Sequence, residues 1–151
     1  MKPEEMIRAY AQENGLNPED VKYTAWSFGL DDETADKLAE LTAAGTKTAT
    51  ATALWRYHYD SSEEMPAVGD LSVIIDSKGE AVCLIRTTSL VIASFDRVTA
   101  EHACAEGEGD RSLLYWRQVH REFFSDDLRD FDVTFTENMP VICETFELLK
   151  K

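Results

Sequence analysis

Apolar residues recur along this chain with two different periods, and each change of period marks the boundary of a predicted element. Residues 3–14 place apolar side chains at helical spacing, and Gly15 ends the pattern. A second helical pattern begins at Asp31 or Asp32, either of which can cap a helix N-terminus, and stops at Gly45. The first third of the chain is therefore predicted to hold two amphipathic helices.

The sequence pattern changes from helical to extended after the second predicted helix. Residues 47–53 are rich in threonine, which favours an extended strand over a helix. Residues 68–92 alternate apolar and polar side chains on both sides of a short Ser-Lys-Gly turn, a pattern typical of a β-hairpin. Two further strands are predicted near the end of the chain, at 131–137 and 141–149.

Two more helices are predicted between these strands. Residues 99–105 form a short one, which the EGEGD run breaks, and residues 111–124 form a longer one. Trp116 and His120 lie on the apolar side of the longer helix, so both are expected in the core. Five or so strands with helices inserted irregularly predict an α+β domain rather than a doubly wound parallel sheet.

Charge and composition narrow the class of protein. The chain has 151 residues, 29 acidic against 15 basic side chains and a formal net charge of −14. That sign repels a phosphate backbone, so binding to duplex DNA is not expected, although the acidity also serves solubility alone. No segment reads as a signal peptide or membrane span, and three scattered cysteines predict reduced thiols. We expect one soluble cytoplasmic domain without a membrane partner.

Known cofactor and metal motifs do not fit the sequence. The GTKT run lacks the first glycine and the preceding strand of a phosphate-binding loop. His58, His102 and His120 are far apart, and no paired cysteines follow His102 as a zinc deaminase requires. We therefore expect neither a metal nor a cofactor.

The candidate chemistry centres on Lys47, with Thr50 three residues later and the acidic side chains of Glu106 and Glu108 farther along. A partly dry lysine beside a hydroxyl can act as a base, and a facing carboxylate can shuttle protons. Positions 47 and 50 point to opposite faces of a regular strand, so the pair requires a bend. The alternative is an ordinary solvated lysine at a strand edge.

Three segments in order resemble one known family. Residues 45–50 match the G-x-K-x-x-T motif of the ASCH domain after a helix. Residues 102–124, HACAEGEGDRSLLYWRQVHREFF, resemble the segment that follows in bacterial ASCH proteins, and the WSFG sequence at 26–29 matches the same subgroup. The resemblance extends from about Tyr23 to the end of the chain.

This resemblance implies a PUA-like fold, a small β-barrel of about five to six strands with helices packed around a cleft. It implies a single ASCH domain over residues 1–151, with an N-terminal helical extension at about 1–22. The implied role is binding of a nucleotide, a nucleoside or single-stranded RNA. In that reading Lys47 and Arg111 neutralise phosphate, Glu108 contributes to the site and Trp26, expected in a glycine-bounded loop, stacks on a base.

The resemblance also implies an alternative, because some small ASCH members are amidohydrolases acting on N4-acetylcytidine and another is described as a ribonuclease. In the amidohydrolases the motif lysine and threonine act with a downstream glutamate. Here these are Lys47 as base, Thr50 attacking or orienting water, and Glu106 as proton shuttle, with Glu108 as the other position for the carboxylate. Binding demands less exact geometry and is the preferred function, with hydrolysis as the alternative.

Overall fold

The computed structural model describes residues 1–29, 31–60 and 62–151. Five strands form one mixed sheet that curls into a half-barrel, and their spatial order is β1-β3-β4-β5-β2. The strands are β1 (Thr24–Trp26), β2 (Ala49–Ala53), β3 (Leu71–Ile75), β4 (Ala81–Ser94) and β5 (Pro140–Lys150). Only the β1–β3 pair is parallel among the described strands; the other pairs are antiparallel.

Five α-helices flank this sheet in the described ranges, and two short 3₁₀ turns lie at Pro18–Asp20 and Phe95–Arg97. The α-helices are α1 (Pro3–Glu13), α2 (Asp32–Ala43), α3 (Leu54–Tyr59), α4 (Ala100–Glu106) and α5 (Leu113–Arg129). The predicted α+β class is confirmed, and the two N-terminal helices, the hairpin and the last strand lie where the sequence pattern places them.

The start of α2 follows its sequence signal. The Asp31 side chain caps the helix by accepting a hydrogen bond from the Thr34 backbone N–H at 2.8 Å. At the other end Gly45 adopts a left-handed φ of 80°, and its N–H reaches the Thr42 carbonyl at 3.1 Å. This end determines where the chain leaves α2 and approaches β2.

Three groups of buried apolar residues fill the space around the sheet. The largest joins α4, α5 and the inner faces of β2 and β5 around Phe95, Trp116 and Phe124. A second packs α2 against β3 and β4 around Phe28, and a third packs α1 on the sheet through Met6 and Ile7. Lys47 lies beside both of the first two groups, since its Nζ is 5.1 Å from the Phe28 ring and 3.4 Å from Glu106, which bonds to Trp116.

Strand alternation sorts the side chains of β2 onto two faces. Ala51 and Ala53 lie in the core beneath α4 and α5, opposite Cys143 and its neighbours on β5. Because side chains alternate along a strand, Thr50 points to the other face. Thr52 points to the same face as Thr50, and both threonines are half-buried.

Three expectations about local structure were wrong. Residues 131–137 are not a strand: they follow α5 as a turn and extended segment, from which Val133 and Phe135 pack on the core. The β2 strand starts at Ala49 and runs directly into α3, a helix that the threonine-rich pattern does not signal. Trp26 lies on the edge strand β1 rather than in a loop, where tertiary pairing with β3 overrides the flanking glycine.

Candidate functional site

Backbone hydrogen bonds at the end of α2 fix the position of Lys47. The Thr46 N–H donates to the Leu41 carbonyl at 3.0 Å, which with the Gly45 bond completes a Schellman motif. The Lys47 N–H donates to the same carbonyl at 3.1 Å, and the Thr48 N–H donates to Ala105 of α4 at 2.7 Å. These bonds direct the Lys47 side chain into the space between α2, α4 and β2.

The Lys47 ammonium group is almost completely buried, with the residue 1% exposed. Its Nζ donates to the Ala49 carbonyl and to Glu108 Oε2, both at 2.9 Å. It also lies 3.3 Å from the Glu106 carbonyl and 3.4 Å from Glu106 Oε1. Every one of these partners is an acceptor, so Lys47 acts in this arrangement as a hydrogen-bond donor.

Glu106 is the second buried charge, also 1% exposed. Its Oε2 accepts a hydrogen bond from His102 Nε2 at 2.8 Å and another from the Trp116 indole N–H. Its Oε1 faces Lys47 and lies 3.4 Å from His120 Nε2. Both carboxylate oxygens are thus surrounded by donors. We call this group the Lys47 cluster; its members are Lys47, His102, Glu106, Glu108, Trp116 and His120.

These neighbours determine the ionisation of Glu106. Burial alone would raise the pKa of this carboxyl, but the Lys47 charge and the hydrogen bonds from His102 and His120 outweigh it. The pKa of Glu106 therefore lies well below its ordinary value of 4.5. A carboxylate that stays ionised and saturated with donors is suited to holding Lys47 and is a weak candidate for proton shuttling.

The α5 partners of Glu106 are held by their own contacts. The His120 ring stacks on Trp116 with centroids 4.2 Å apart and planes 15° apart. His120 Nδ1 lies 2.9 Å from the Trp116 carbonyl, and because a carbonyl only accepts, Nδ1–H donates to it; Nε2 can also donate to Glu106 only when the ring carries a proton on both nitrogens. His120 and Trp116 are core residues as predicted, but their polar atoms also serve the buried carboxylate.

The backbone after α4 approaches Lys47 too closely for any side chain at residue 107. Gly107 has a φ of 74°, and a Cβ there would lie 2.5 Å from the Thr46 carbonyl oxygen. This contact brings the next residue, Glu108, onto the Lys47 ammonium. The Glu108 side chain remains 17% exposed, so it connects the buried cluster to solvent.

Aromatic side chains close the other side of Lys47. The buried Phe28 ring has its centroid 5.1 Å from Lys47 Nζ, within the range of a cation–π contact. Trp26 packs edge-on against Phe28 with centroids 4.7 Å apart and is itself half-buried. Trp26 therefore reaches the Lys47 cluster through Phe28 rather than by direct contact.

Arg111 lies outside the Lys47 cluster. It precedes α5 rather than opening it, because Ser112 caps that helix, and it has a left-handed φ of 65°. Its exposed guanidinium donates from Nε to the Cys104 carbonyl at 3.0 Å. Among the described residues it forms no ion pair, with Asp110 or any other acid.

Thr50 is also separate from the Lys47 cluster. It pairs with Glu144 across the β2–β5 ladder, and its hydroxyl makes no hydrogen bond to Lys47 within the described ranges. Glu144 is 8% exposed, and burial, with a smaller contribution from Asp70, raises its pKa to about 7. The two carboxyls of interest, Glu106 and Glu144, therefore have pKa values shifted in opposite directions.

The structure thus brings Lys47, Glu106 and Glu108 together and leaves Thr50 and Arg111 apart from them. Sequence reasoning did not assign His102 to this group, although its spacing four residues before Glu106 places both on one helix face. It also overlooked Glu144, whose signal is a charged residue inside the apolar run VICETFELL.

The described residues contain neither a metal-binding cluster nor a membrane-spanning helix. In ranges 1–29, 31–60 and 62–151, no three His, Cys, Asp or Glu side chains are arranged to hold a metal ion. No helix in these ranges has the length and apolarity required to cross a bilayer.

Solved structures similar to this chain share its architecture. The crystal structure of an ASCH domain from Lactobacillus crispatus JV V101 has a TM-score of 0.85 at 28% identity, covering 97% of this chain and 96% of that one. Protein EF3133 from Enterococcus faecalis V583 has a TM-score of 0.87 at 28% identity, covering 97% and 87%. Hypothetical protein PH0355, with a TM-score of 0.52 at 20% identity over 83% of this chain and 99% of its own, shares the fold alone.

Sequence comparison gives the family directly. A search of curated protein sequences found no match. The family model of the ASCH domain matches residues 24–150, which begins at β1 and leaves α1 outside the matched span. The predicted PUA-like fold is confirmed by the ASCH domain structure. The chain therefore belongs to the ASCH domain family, a family of PUA-like fold that is often proposed to bind RNA.

Proposed function

We propose that this protein binds a nucleoside, a nucleotide or a single-stranded RNA end in the cleft of its PUA-like fold. The observation that carries the proposal is the Lys47 ammonium, 1% exposed yet bonded to Glu108, which still reaches solvent. Burying an ion pair is costly, and its carboxylate, Glu106, has a pKa well below the ordinary value, the kind of perturbation that concentrates at functional sites. Membership of the ASCH family supports a nucleic-acid-related ligand.

In this proposal the Lys47 cluster orders the cleft and the residues around it contact the ligand. Trp26 supplies a half-buried aromatic face for a base, and Arg111 has exposed N–H groups for a phosphate. Glu108 is the acceptor of the cluster that faces solvent. The formal charge of −14 restricts the ligand to a small molecule or a short strand end rather than a duplex.

Calorimetric titration at low and at higher salt tests the proposal, with cytidine, its 5′-monophosphate and a short single-stranded RNA as ligands. Saturable binding of at least one is expected, weakening with salt for those that carry phosphate. Trp26→Leu and Arg111→Gln should reduce affinity, while Arg97→Gln, another exposed arginine without an ion pair among the described residues, should not. No saturable binding by any ligand at low salt overturns the proposal.

Hydrolysis of an acylated nucleoside is the second candidate function, and the convergence of Lys47 with two carboxylates favours it. Water would add to the acyl carbon and the amide C–N bond would break, releasing acetate and cytidine from N4-acetylcytidine. Lys47 would first have to give up a proton and exchange its acceptors for Thr50. Turnover in the wild type and its loss in Lys47→Met would support this reaction, and turnover retained in folded Lys47→Met would exclude Lys47 as its base.

A further inference from the structure

We propose that the unpaired edge of β4, residues 88–94, docks on the same segment of a second copy of this chain by antiparallel strand pairing. The pairing joins the two half-barrel sheets into one continuous sheet, with a two-fold axis at Val91. We call residues 88–94 the β4 edge segment. It belongs to a strand two positions away from β2 in the sheet, apart from the Lys47 cluster, so the inference does not depend on the proposed function.

One side of the β4 edge segment has no strand partner. On its other side, residues 89–94 run in unbroken register against residues 140–145 of β5. On the open side, the last backbone bonds join Thr87 to Gly69 and Asp70, at 2.8 and 2.9 Å. Beyond Thr87 no described residue pairs with this side. Because a strand directs backbone N–H and C=O groups to both of its sides, the segment presents a row of unmet donors and acceptors.

Apolar side chains are exposed along the same edge. Val91 is 58% and Ile92 57% exposed. Because adjacent side chains of a strand point to opposite faces, both faces of the sheet are uncovered at this place. Val68, next to the Gly69–Thr87 bond, is 65% exposed. Single exposed apolar residues are ordinary, but several at one unpaired edge mark a surface for association.

The β4 edge segment lacks the features that normally prevent edge-to-edge pairing. Residues 87–95 contain no charged residue and no proline, although 29% of the chain is charged. Exposed edges are usually protected by charges, prolines or bulges. The register shift between Thr87 and Ser89 lies at the start of the segment and leaves the rest regular. In a chain with a net charge of −14, this uncharged edge lets a second copy approach without like charges in contact.

The sequence of the β4 edge segment complements itself. Opposite side chains of an antiparallel pair lie on the same face, so a two-fold axis perpendicular to the sheet passes through a residue and not between two. Val91 is the central residue of the segment, and an axis there uses its whole length. Val91 then faces its own copy, and Leu90 faces Ile92 of the second copy. The small hydroxyl and alanine side chains lie at the two ends, so apolar residues meet apolar residues.

The charges that flank the β4 edge segment are also complementary. With the axis at Val91, Arg86 of each copy lies level with Asp96 of the other. The Arg86 side chain, which also bonds to Glu147, is 44% exposed, and Asp96 is exposed. Opposite charges at both ends favour this antiparallel register over a parallel one, which would set each charge against its like.

Sedimentation velocity over a range of protein concentrations tests the pairing. The interface is short, so we expect a dimer dissociation constant on the order of micromolar in about 0.15 M salt, where distant charges are screened. Val91→Lys should raise this constant about tenfold or more, because two lysines then face each other at the axis. Leu114→Lys, at a 69% exposed apolar residue of α5, is the matched control and should dimerise as wild type. A wild-type chain that stays monomeric at about 200 µM, or a Val91→Lys variant that dimerises as wild type, overturns the inference.

Mixing two variants separates strand pairing from loss of folding. Val91→Asp alone should dimerise as poorly as Val91→Lys, since like charges again meet at the axis. An equimolar mixture of the two should form a heterodimer within about threefold of the wild-type affinity, because lysine then faces aspartate. Thermal unfolding of each variant confirms that the compared proteins are folded. A mixture of folded variants that stays monomeric overturns the axis at Val91.

Amide hydrogen exchange locates the interface within the dimer. Amides of residues 88–94 that point away from β5 should exchange about tenfold or more slowly in the wild-type dimer than in Val91→Lys. Amides of residues 81–86, which lie between β3 and β5, should exchange equally in both. A dimer that leaves exchange at 88–94 unchanged uses another surface and refutes the inference. If the wild type stays monomeric and a short single-stranded RNA slows these amides instead, the edge is a ligand surface and pairing with a second copy is refuted.

Discussion

Replacing Lys47 by methionine removes one buried charge and keeps most of the apolar stem. Glu106 loses its cation while remaining 1% exposed, and Glu108 loses its 2.9 Å partner. Removing one member of a buried ion pair costs about 3–5 kcal/mol. Since His102 and Trp116 still donate to Glu106, we expect the lower end, about 3 kcal/mol. For a protein of this size that corresponds to a fall in Tm of about 6–12 °C.

Urea unfolding followed by tryptophan fluorescence measures this loss directly, because the chain has three tryptophans. Lys37→Met, which removes an exposed lysine from α2, is the matched control and should lie within about 0.5 kcal/mol of wild type. Lys47→Met with Glu106→Gln should be more stable than Lys47→Met alone, because the double variant leaves no uncompensated charge at Glu106. If Lys47→Met is no less stable than Lys37→Met, the buried cluster does not hold the fold together and the reasoning fails.

Three further predictions concern other parts of the structure. Gly107→Ala should lower the free energy of unfolding by more than about 2 kcal/mol, because the added Cβ clashes with Thr46 and the backbone is also strained. Gly15→Ala, which adds strain without a clash, should lower it by about 1 kcal/mol. Equal losses in urea unfolding would contradict the close approach at Gly107. Burial raises the pKa of Glu144 to about 7, against 4.5 in the unfolded chain, so its contribution to the free energy of unfolding is present below about pH 4.5 and is lost as pH rises through about 7. Glu144→Gln should remove this decline and be more stable than wild type by up to about 3 kcal/mol at about pH 8. An unchanged dependence of unfolding free energy on pH would refute the raised pKa. A thiol reagent should label Cys104 alone in native protein and two further cysteines only in denaturant, because the other thiols are buried; fast labelling of more than one native thiol would contradict their burial.

The α+β fold was predictable because its elements carry local signals. The cap at Asp31 and the glycine stop at Gly45 mark α2, and the alternating pattern marks the β3–β4 hairpin. Residues 131–137 alternate in the same way yet form no strand; Val133 and Phe135 instead pack on the core around Phe95. Period alone does not distinguish these two cases, because pairing is a property of the tertiary structure.

The candidate site was predictable only where the side chains follow from the backbone path. A lysine directly after a helix stop and a glutamate at the end of α4 are visible in the sequence, and Glu106 at the end of a helix containing His102 is a local relation. The bond from Thr48, just before β2, to Ala105 of α4 is not a local relation, and this contact packs α4 over Lys47. The separation of Thr50 from Lys47 follows from the strand starting at Ala49, which sequence boundaries do not resolve.

Glu106 and Glu144 show why residue type alone does not define a reactive group. Both are nine-tenths buried or more, yet donors surround both oxygens of Glu106, whereas Glu144 has none among the described residues. A group approaching Glu106 would have to displace existing bonds, whereas the Glu144 oxygens are not among the fully buried unpartnered atoms of the described residues and so still reach water. The donors around Glu106 therefore fix an ionised carboxylate that holds Lys47 between α4 and β2, whereas burial without a donor raises the pKa of Glu144 to about 7.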